Sequence, residues 1–392
     1  MKNRTKVLIV IGTYLPGSKG GGHIRSISSL VEALGDIFDF YIICLDRDTG
    51  ATDQYPNIEI GVWNKIGKGR VMYLKPPGFT FTLYRSIFSE IKPDVLYLNT
   101  VFSFSEVVLP ILLVLVFRYM INIIIAPRGC LNPGALKLKK LKKTIFLLFF
   151  KLSTIPRRVI WHASTELEND FIHAILPHSN VVIAPNLSAK HTNLDLPNLK
   201  KQNGEVNFLY LSRIVPVKNL LFFLNCLKNH SGLIHLTIAG PLEDTKYWEQ
   251  CLEAMKVLTN VTIKYIGTIT HDDVIATMKS NHFFVLPTLG ENYGHAIDEA
   301  LQAGIPILIS DCTPWNDISR LGAGWTIPLN SPERWSNIIT GCIDMDGSTY
   351  NKMSEACKLA TASIWNESAR IDANIKLLNS QFATSRNRFH RR

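Results

Sequence analysis

At 392 residues the chain is too long for one compact core and suits two domains of ordinary size. A hydrophobic share of 46% against 19% charged residues excludes a disordered protein, and the excess of 42 basic over 32 acidic side chains favours an anionic partner: a nucleotide, a membrane surface or a nucleic acid. The seven cysteines are scattered and never form a CxxC pair, which excludes a disulfide framework or a thiolate zinc site and fits a reducing compartment.

The chain begins MKNRTKVLIVIGTYLPG, a basic start followed by a short apolar run. No small-residue cleavage site follows, so the run reads as a first buried strand rather than a signal peptide. Gly20, Gly21 and Gly22 then precede a helical pattern over 24–34. They make neither a dinucleotide fingerprint nor a phosphate-binding loop of the GK[ST] kind, and on their own read as a turn. Apolar runs at 7–11, 40–45, 95–98, 123–126, 159–161 and 181–184 alternate with helical segments such as 79–91. Runs apolar at consecutive positions are expected of strands covered on both faces, and their alternation with helices predicts a doubly wound parallel sheet. Residues 107–117 are apolar but broken by Pro110 and ended by Arg118. That is short of the ~20 residues of a membrane-spanning helix, so a core helix leading into a strand is expected.

After the strand at 123–126, Arg128 and Gly129 stand at a strand end, and His162 follows the strand at 159–161. Strand-end histidines are usually structural, and Ser164 or Thr165 with Glu168 reads as a helix cap. Between these points residues 134–152, GALKLKKLKKTIFLLFFKL, form a basic amphipathic segment. Leu138, Leu141, Ile145, Leu148 and Leu152 share one helical face, with lysines on the others. Two readings stand side by side: a helix lying on an anionic membrane, or a core helix with a solvated lysine face.

Residues 188–205 are polar and aperiodic and read as a linker between domains 1–187 and 206–365, with a C-terminal helix and basic tail over 366–392 that can pack back on the first domain. A second alternating series follows, with apolar runs at 208–211, 236–239, 261–266, 283–286 and 305–309. The whole is thus expected to be two tandem Rossmann-like doubly wound domains with a cleft between them, and ligands are expected in the loops beyond the carboxyl ends of strands.

Two loops of the second series carry the chemistry. Arg213 and Lys218 lie five residues apart after the strand at 208–211, where two cations can converge on a diphosphate. Further on, HFFVLPTLGENYGHAIDEALQAGIPILIS reads strand, loop, helix, strand, with Glu291 in the loop and Glu299 in the helix. The helix start after Gly294 offers unpaired N–H groups to an anion or a sugar hydroxyl, and each carboxylate can accept two hydroxyls of a sugar or a ribose.

The stretch E-N-Y-G-H-A-I-D-E-A resembles the donor-site motif of the retaining glycosyltransferase family 4 (GT-B fold, glycosyltransferase group 1), and FLYLSRIVPVKNLLFFL resembles its diphosphate loop. The resemblance implies a metal-independent hexosyltransferase without cofactor, with Glu291 toward the donor sugar, Glu299 toward the ribose, and Arg213 and Lys218 toward the departing diphosphate. It further implies that the backbone of Asn292, Tyr293 and Gly294 lines the sugar and phosphate, with Gly21 and Gly22 approaching from the first domain. IAGPLED, residues 238–244, resembles the family's turn near the nucleotide base. Many relatives carry a histidine where Arg128 stands, so Arg128, with His162, is a candidate for the acceptor side. The expected partners are a nucleotide sugar, a glycan or lipid-linked glycan acceptor and an anionic membrane touched through 134–152, in the cytoplasm or at the inner face of the plasma membrane, with no nucleic acid. Alternatives are a non-catalytic glycosyltransferase-like scaffold and a sugar-nucleotide epimerase on the same architecture.

Overall fold

A computed structural model describes residues 4–17, 21–48, 50–137, 140–187, 196–197, 199–364 and 367–380. Gly20, Leu138, Lys139, half of the 188–205 stretch and the RNRFHRR terminus lie outside the described residues, as do the side chains of residues 137–140. The chain divides into two compact units, residues 1–189 with 367–392, and residues 190–366.

The first unit is built on eight strands: β1 (Lys6–Val10), β2 (Asp39–Leu45), β3 (Trp63–Ile66), β4 (Gly69–Leu74), β5 (Val95–Leu98), β6 (Asn122–Ile125), β7 (Ile160–Ala163) and β8 (Asn180–Ile183). Their order is β3-β4-β2-β1-β5-β6-β7-β8, parallel except for the β3–β4 hairpin. Alternate residues of each strand enter two separate cores. Leu8, Val10, Leu96, Leu98, Ile123 and Ile125 face one, and Val7, Ile9, Ile11, Val95, Tyr97 and Ile124 face the other. Both faces are therefore covered by helices, which is why these strands read as unbroken apolar runs. On one side lies α1 (Gly22–Leu34), whose Ile24, Ile27, Leu30, Val31 and Leu34 recur at three- and four-residue spacing and are all buried. Helices α2 (Phe81–Ile91) and α3 (Leu109–Val116) pack on the other side. Thr80 caps α2 by accepting from the Leu83 N–H, and Lys92 closes it in a left-handed turn just before Pro93.

The 107–117 run is a π-turn (Phe104–Val108) running into α3, followed by β6, as a core helix followed by a strand. Among the described residues no helix is long and apolar enough to cross a membrane. The 134–152 segment forms two helices, α4 (Pro133–Lys137) and α5 (Lys140–Leu152). Helix α6 (Glu166–Ile175) follows β7, capped by the Thr165 hydroxyl on the Glu168 N–H.

The second unit has six parallel strands: β9 (Glu205–Leu211), β10 (Leu233–Ala239), β11 (Val261–Tyr265), β12 (Phe283–Leu286), β13 (Ile307–Ser310) and β14 (Gly324–Ile327), in the order β11-β10-β9-β12-β13-β14. Helices α7 (Leu220–Cys226), α8 (Thr245–Lys256), α9 (His271–Lys279) and α10 (His295–Gln302) connect successive strands, and α11 (Pro332–Asp344) and α12 (Gly347–Ile364) follow the last. A single core cluster runs through this unit, from Val206 to Ala360. The last helix, α13 (Glu367–Asn379), belongs to the first unit. Its Leu377 and Leu378 enter the core beside α1, and the Asn374 amide donates to the Pro185 carbonyl at 2.9 Å.

In both sheets the chain reverses its direction of growth once. In the first sheet β1 leads outward to β2 on one side and to β5 on the other; in the second, β9 leads to β10 and to β12. At such a switch point the loops leaving adjacent strands diverge above and below the sheet and open a crevice beyond the carboxyl edge.

Candidate active site

The two loops singled out in the second unit leave β9 and β12, the pair that flanks its switch point. They are fastened to each other. The Val217 carbonyl accepts from the Leu289 N–H at 2.8 Å and from the Thr288 hydroxyl at 3.0 Å, and the Glu291 N–H donates to the Cys312 carbonyl beyond β13 at 3.0 Å. Thr288 is fully buried, so this fastening sits beneath the crevice rather than in it.

Above it, Lys218 and Glu291 meet as an ion pair, Nζ to Oε2, although 73 residues separate them. Lys218 ends a single turn of 3-10 helix (Pro216–Lys218), and Asn219 reverses the chain with a left-handed φ of 59°. Glu291 uses its other oxygen to accept from the Asn292 N–H at 3.3 Å. The two side chains retain only 11% and 17% of their exposure, so the pair is poorly hydrated yet reachable from the crevice. Arg213 stands closer to solvent and holds Glu243 of the 238–244 loop at 2.9 Å.

Gly294 occupies the N-cap of α10 with φ 83°. A β-carbon there would come within 2.8 Å of Ile297 and 3.2 Å of the Glu291 side chain. Glycine thus lets the chain turn into the helix while keeping Glu291 close to the helix start, where backbone dipoles favour negative charge. Tyr293 is held from both ends: its hydroxyl donates to the buried Asp298 at 3.3 Å, and its carbonyl accepts from Trp315 Nε1. Glu299 lies one turn further along α10, 5% exposed. The helix stops at Ala303, and Gly304 leaves it in a left-handed turn.

In the first unit, Gly21 is the N-cap of α1 with φ 62° and Gly22 its first residue. A residue the sequence reading did not single out stands at this unit's switch point. Glu106, in the turn after β5, accepts from the Ser103 hydroxyl at 3.0 Å, and its Oε2 lies 3.4 Å from where a β-carbon on Gly12 would stand. Burial pushes its carboxyl above the ordinary range. The signal for it was S-x-x-E ahead of an apolar run, a capping pattern that gives no hint of the sheet edge on which it lands.

Arg128 and His162 belong to one buried network. His162 is 2% exposed, and both ring nitrogens are engaged, Nε2 with the Ala184 carbonyl at 2.7 Å and Nδ1 with the Tyr97 hydroxyl at 2.5 Å. A carbonyl only accepts, so Nε2 carries the proton and Nδ1 receives the tyrosine's. Burial and then the Arg128 charge push its pKa down to about 3, so the ring is neutral near neutral pH. With no open nitrogen, His162 is a support under Arg128 rather than a group that reaches an acceptor. Glu168 departs from a simple capping box: it accepts from the Gly129 N–H at 2.8 Å and from the Ser164 N–H and hydroxyl, both at 2.9 Å.

Residues 193–359, which hold β9 to β14 and both fastened loops, match the family model described as glycosyl transferases group 1. The second unit is a group 1 glycosyltransferase domain. The fold of the whole chain is shared with solved glycosyltransferase structures of the GT-B type. A sucrose-phosphate synthase from Thermosynechococcus elongatus superposes with a TM-score of 0.77 at 13% identity, over 95% of this chain and 98% of that one. WaaG, a glycosyltransferase involved in lipopolysaccharide biosynthesis, superposes with a TM-score of 0.68 at 12% identity, over 96% and 100%. HepE of Anabaena, solved in complex with UDP-glucose, gives 0.68 at 13% identity, again over 96% and 100%. No curated protein matches the chain.

Proposed function

We propose that this protein is a retaining group 1 glycosyltransferase that moves a hexosyl unit from a nucleoside-diphosphate sugar to a glycan or lipid-linked glycan, in the assembly of a bacterial surface polysaccharide. The observation that carries the reading is the Lys218–Glu291 pair at the switch point, with Arg213 on the loop that carries Lys218 and the start of α10 against Glu291. In this reading the donor's diphosphate draws Arg213 from Glu243 and shares Lys218 with Glu291. The Glu291 carboxylate accepts from sugar hydroxyls and Glu299 from the ribose, and the backbone at 292–294 lines the phosphate. Positive charge already in place where the leaving diphosphate gathers its negative charge lowers the barrier without reorganisation. The acceptor hydroxyl enters on the leaving group's face, and its proton passes to the departing phosphate, so the reaction needs neither a metal nor a separate general base. UDP-glucose in HepE and the lipopolysaccharide role of WaaG support the donor class and the setting.

The test is a screen of UDP-, GDP-, ADP- and dTDP-sugars for protection of the purified chain against thermal unfolding, followed by NMR of the anomeric configuration of product or hydrolysed sugar. One nucleotide family is expected to protect, and the released sugar to keep the donor's configuration. Protection by none of them, or inversion at the anomeric carbon, would sink the reading. Conversion of the donor without transfer or hydrolysis would favour the epimerase.

A second observation favours work at a membrane. Helix α5 is apolar on two sides. Phe146, Leu147 and Phe150 pack into the first unit's core, while Leu141, Ile145, Leu148 and Leu152 form an outward stripe with exposures of 47 to 76%. Lys142 and Lys151, both exposed, flank the stripe on either side, and Lys143 turns inward to the Ala135 carbonyl. A core helix with a solvated lysine face would have shown the reverse. We propose that the stripe enters the interface of an anionic bilayer. The protein is expected to sediment with vesicles containing phosphatidylglycerol and not with phosphatidylcholine alone, and L141E/L148E to abolish this at unchanged melting temperature. Equal binding by that variant would exclude α5.

A further inference from the structure

Arg128 carries a charge that its hydrogen-bonding neighbours leave uncancelled. Its Nε donates to Asn99 Oδ1 at 3.3 Å, one terminal nitrogen donates to Asn186 Oδ1, and the other to the Tyr97 hydroxyl at 2.9 Å. All three acceptors are neutral. Two are amides, and burial raises the tyrosine's pKa to about 12. Behind Tyr97 stands the neutral His162, which makes the hydroxyl point its proton away from the guanidinium. The carboxylate that faces this network, Glu168, directs both oxygens at Gly129 and Ser164, and among the described residues none forms an ion pair with Arg128. A guanidinium has five N–H donors, so one remains on each terminal nitrogen after these three bonds.

The placement is that of a ligand-binding group. Tyr97 and Asn99 lie at the carboxyl end of β5, Arg128 after β6, His162 in β7 and Asn186 after β8, so four adjacent strands hold one half-buried cation at the ligand edge of the sheet. Arg128 also sits in the left-handed region, at φ 53°. A side chain there strains the backbone, which a mere filler would not require.

We propose that Arg128 binds an oxyanion, a carboxylate or phosphate borne by the sugar acceptor, and so sets acceptor specificity. The inference rests on the glycosyltransferase reading only in taking the anion to be on a sugar. It is tested by titrating the full chain, calorimetrically, with glucose, glucuronate, glucose 6-phosphate and inorganic phosphate. At least one anionic sugar is expected to bind ten times or more tighter than glucose, and R128Q to erase that preference. N186D, nearly isosteric, sets a carboxylate against the intact guanidinium and is expected to erase it as well, which loss of a purely structural contact would not do. Protection by nucleotide should be unchanged in both variants; its absence in the wild type would count against the donor reading, not this one. Equal or undetectable binding of all three sugars, a preference surviving in N186D, or inorganic phosphate binding as tightly as the sugars would each overturn the assignment.

Discussion

Replacing Lys218 with methionine is expected to lower the rate of sugar transfer by about 10²–10³-fold, while the nucleotide still protects the protein against unfolding. Methionine keeps most of the length of the aliphatic stem and removes only the charge. The loss falls on the transition state because a full diphosphate charge exists only as the glycosidic bond breaks. Stability should fall too, by about 1–3 kcal/mol, because the Glu291 carboxylate is left with the Asn292 N–H in a poorly hydrated place. That figure lies below the loss expected for a fully buried pair, since both side chains keep some contact with solvent. E291Q is the complementary probe: it leaves Lys218 charged and removes a hydroxyl acceptor. If the two groups act on different parts of the donor, the double variant should be slower than either single one. If the pair is only a structural tie, the double variant should regain both stability and rate. Well-folded single variants with full transfer rates would remove both residues from the mechanism.

The pair also shows where reading the sequence stops. Most strands of both sheets were legible because they are apolar at consecutive positions, a pattern that burial on two faces demands, while β14, GWTI, carries no such run and was not read. Glu291 and Glu299 stood out because their stretch resembles the family's donor-site motif around a glycine that opens a helix. Nothing in the chain's local pattern says that Lys218 and Glu291 touch, because their meeting depends on β9 and β12 being neighbours across the switch point. The β3–β4 hairpin escaped for a different reason. Its outer strand, Trp63–Ile66, is only partly buried at the sheet edge and alternates weakly, so it lacks the continuous apolar run of its neighbours. Amphipathicity in α5 was evident, but which of its two apolar sides would meet the core was decided by Phe146 and Phe150 finding Phe102 and Trp161. Arg128 drew notice as an unexpected residue type. Its left-handed backbone and its three neutral acceptors come from four strand ends brought together, which no spacing encodes.

Gly240→Ala is expected to be the most damaging single-methyl change in the second unit's site. The residue has φ 133°, a region open only to glycine, and an added β-carbon would stand 1.9 Å from the Ser212 carbonyl oxygen. That oxygen is backbone, so no side chain can swing aside. Either β10's end or the start of the 213–218 loop must shift, and both are committed: Ser212 N–H donates to the Ala239 carbonyl at 3.0 Å and Ile214 N–H to the Pro241 carbonyl at 2.9 Å. The cost should be roughly 3 kcal/mol or more, a fall in melting temperature of about 6–12 °C for a unit of this size. Because the displaced segment carries Arg213, and its partner Glu243 lies three residues beyond Gly240, protein that remains folded should also lose nucleotide affinity. The neighbouring comparison is Gly267→Ala, where φ is 75° but a β-carbon meets nothing within 4 Å. It isolates backbone strain from collision and should cost only about 1–2 kcal/mol. Thermal melts of both variants, with and without the protecting nucleotide, decide the point. Equal melting temperatures for the two would mean that the close approach of Gly240 to Ser212 does not hold the diphosphate loop in place.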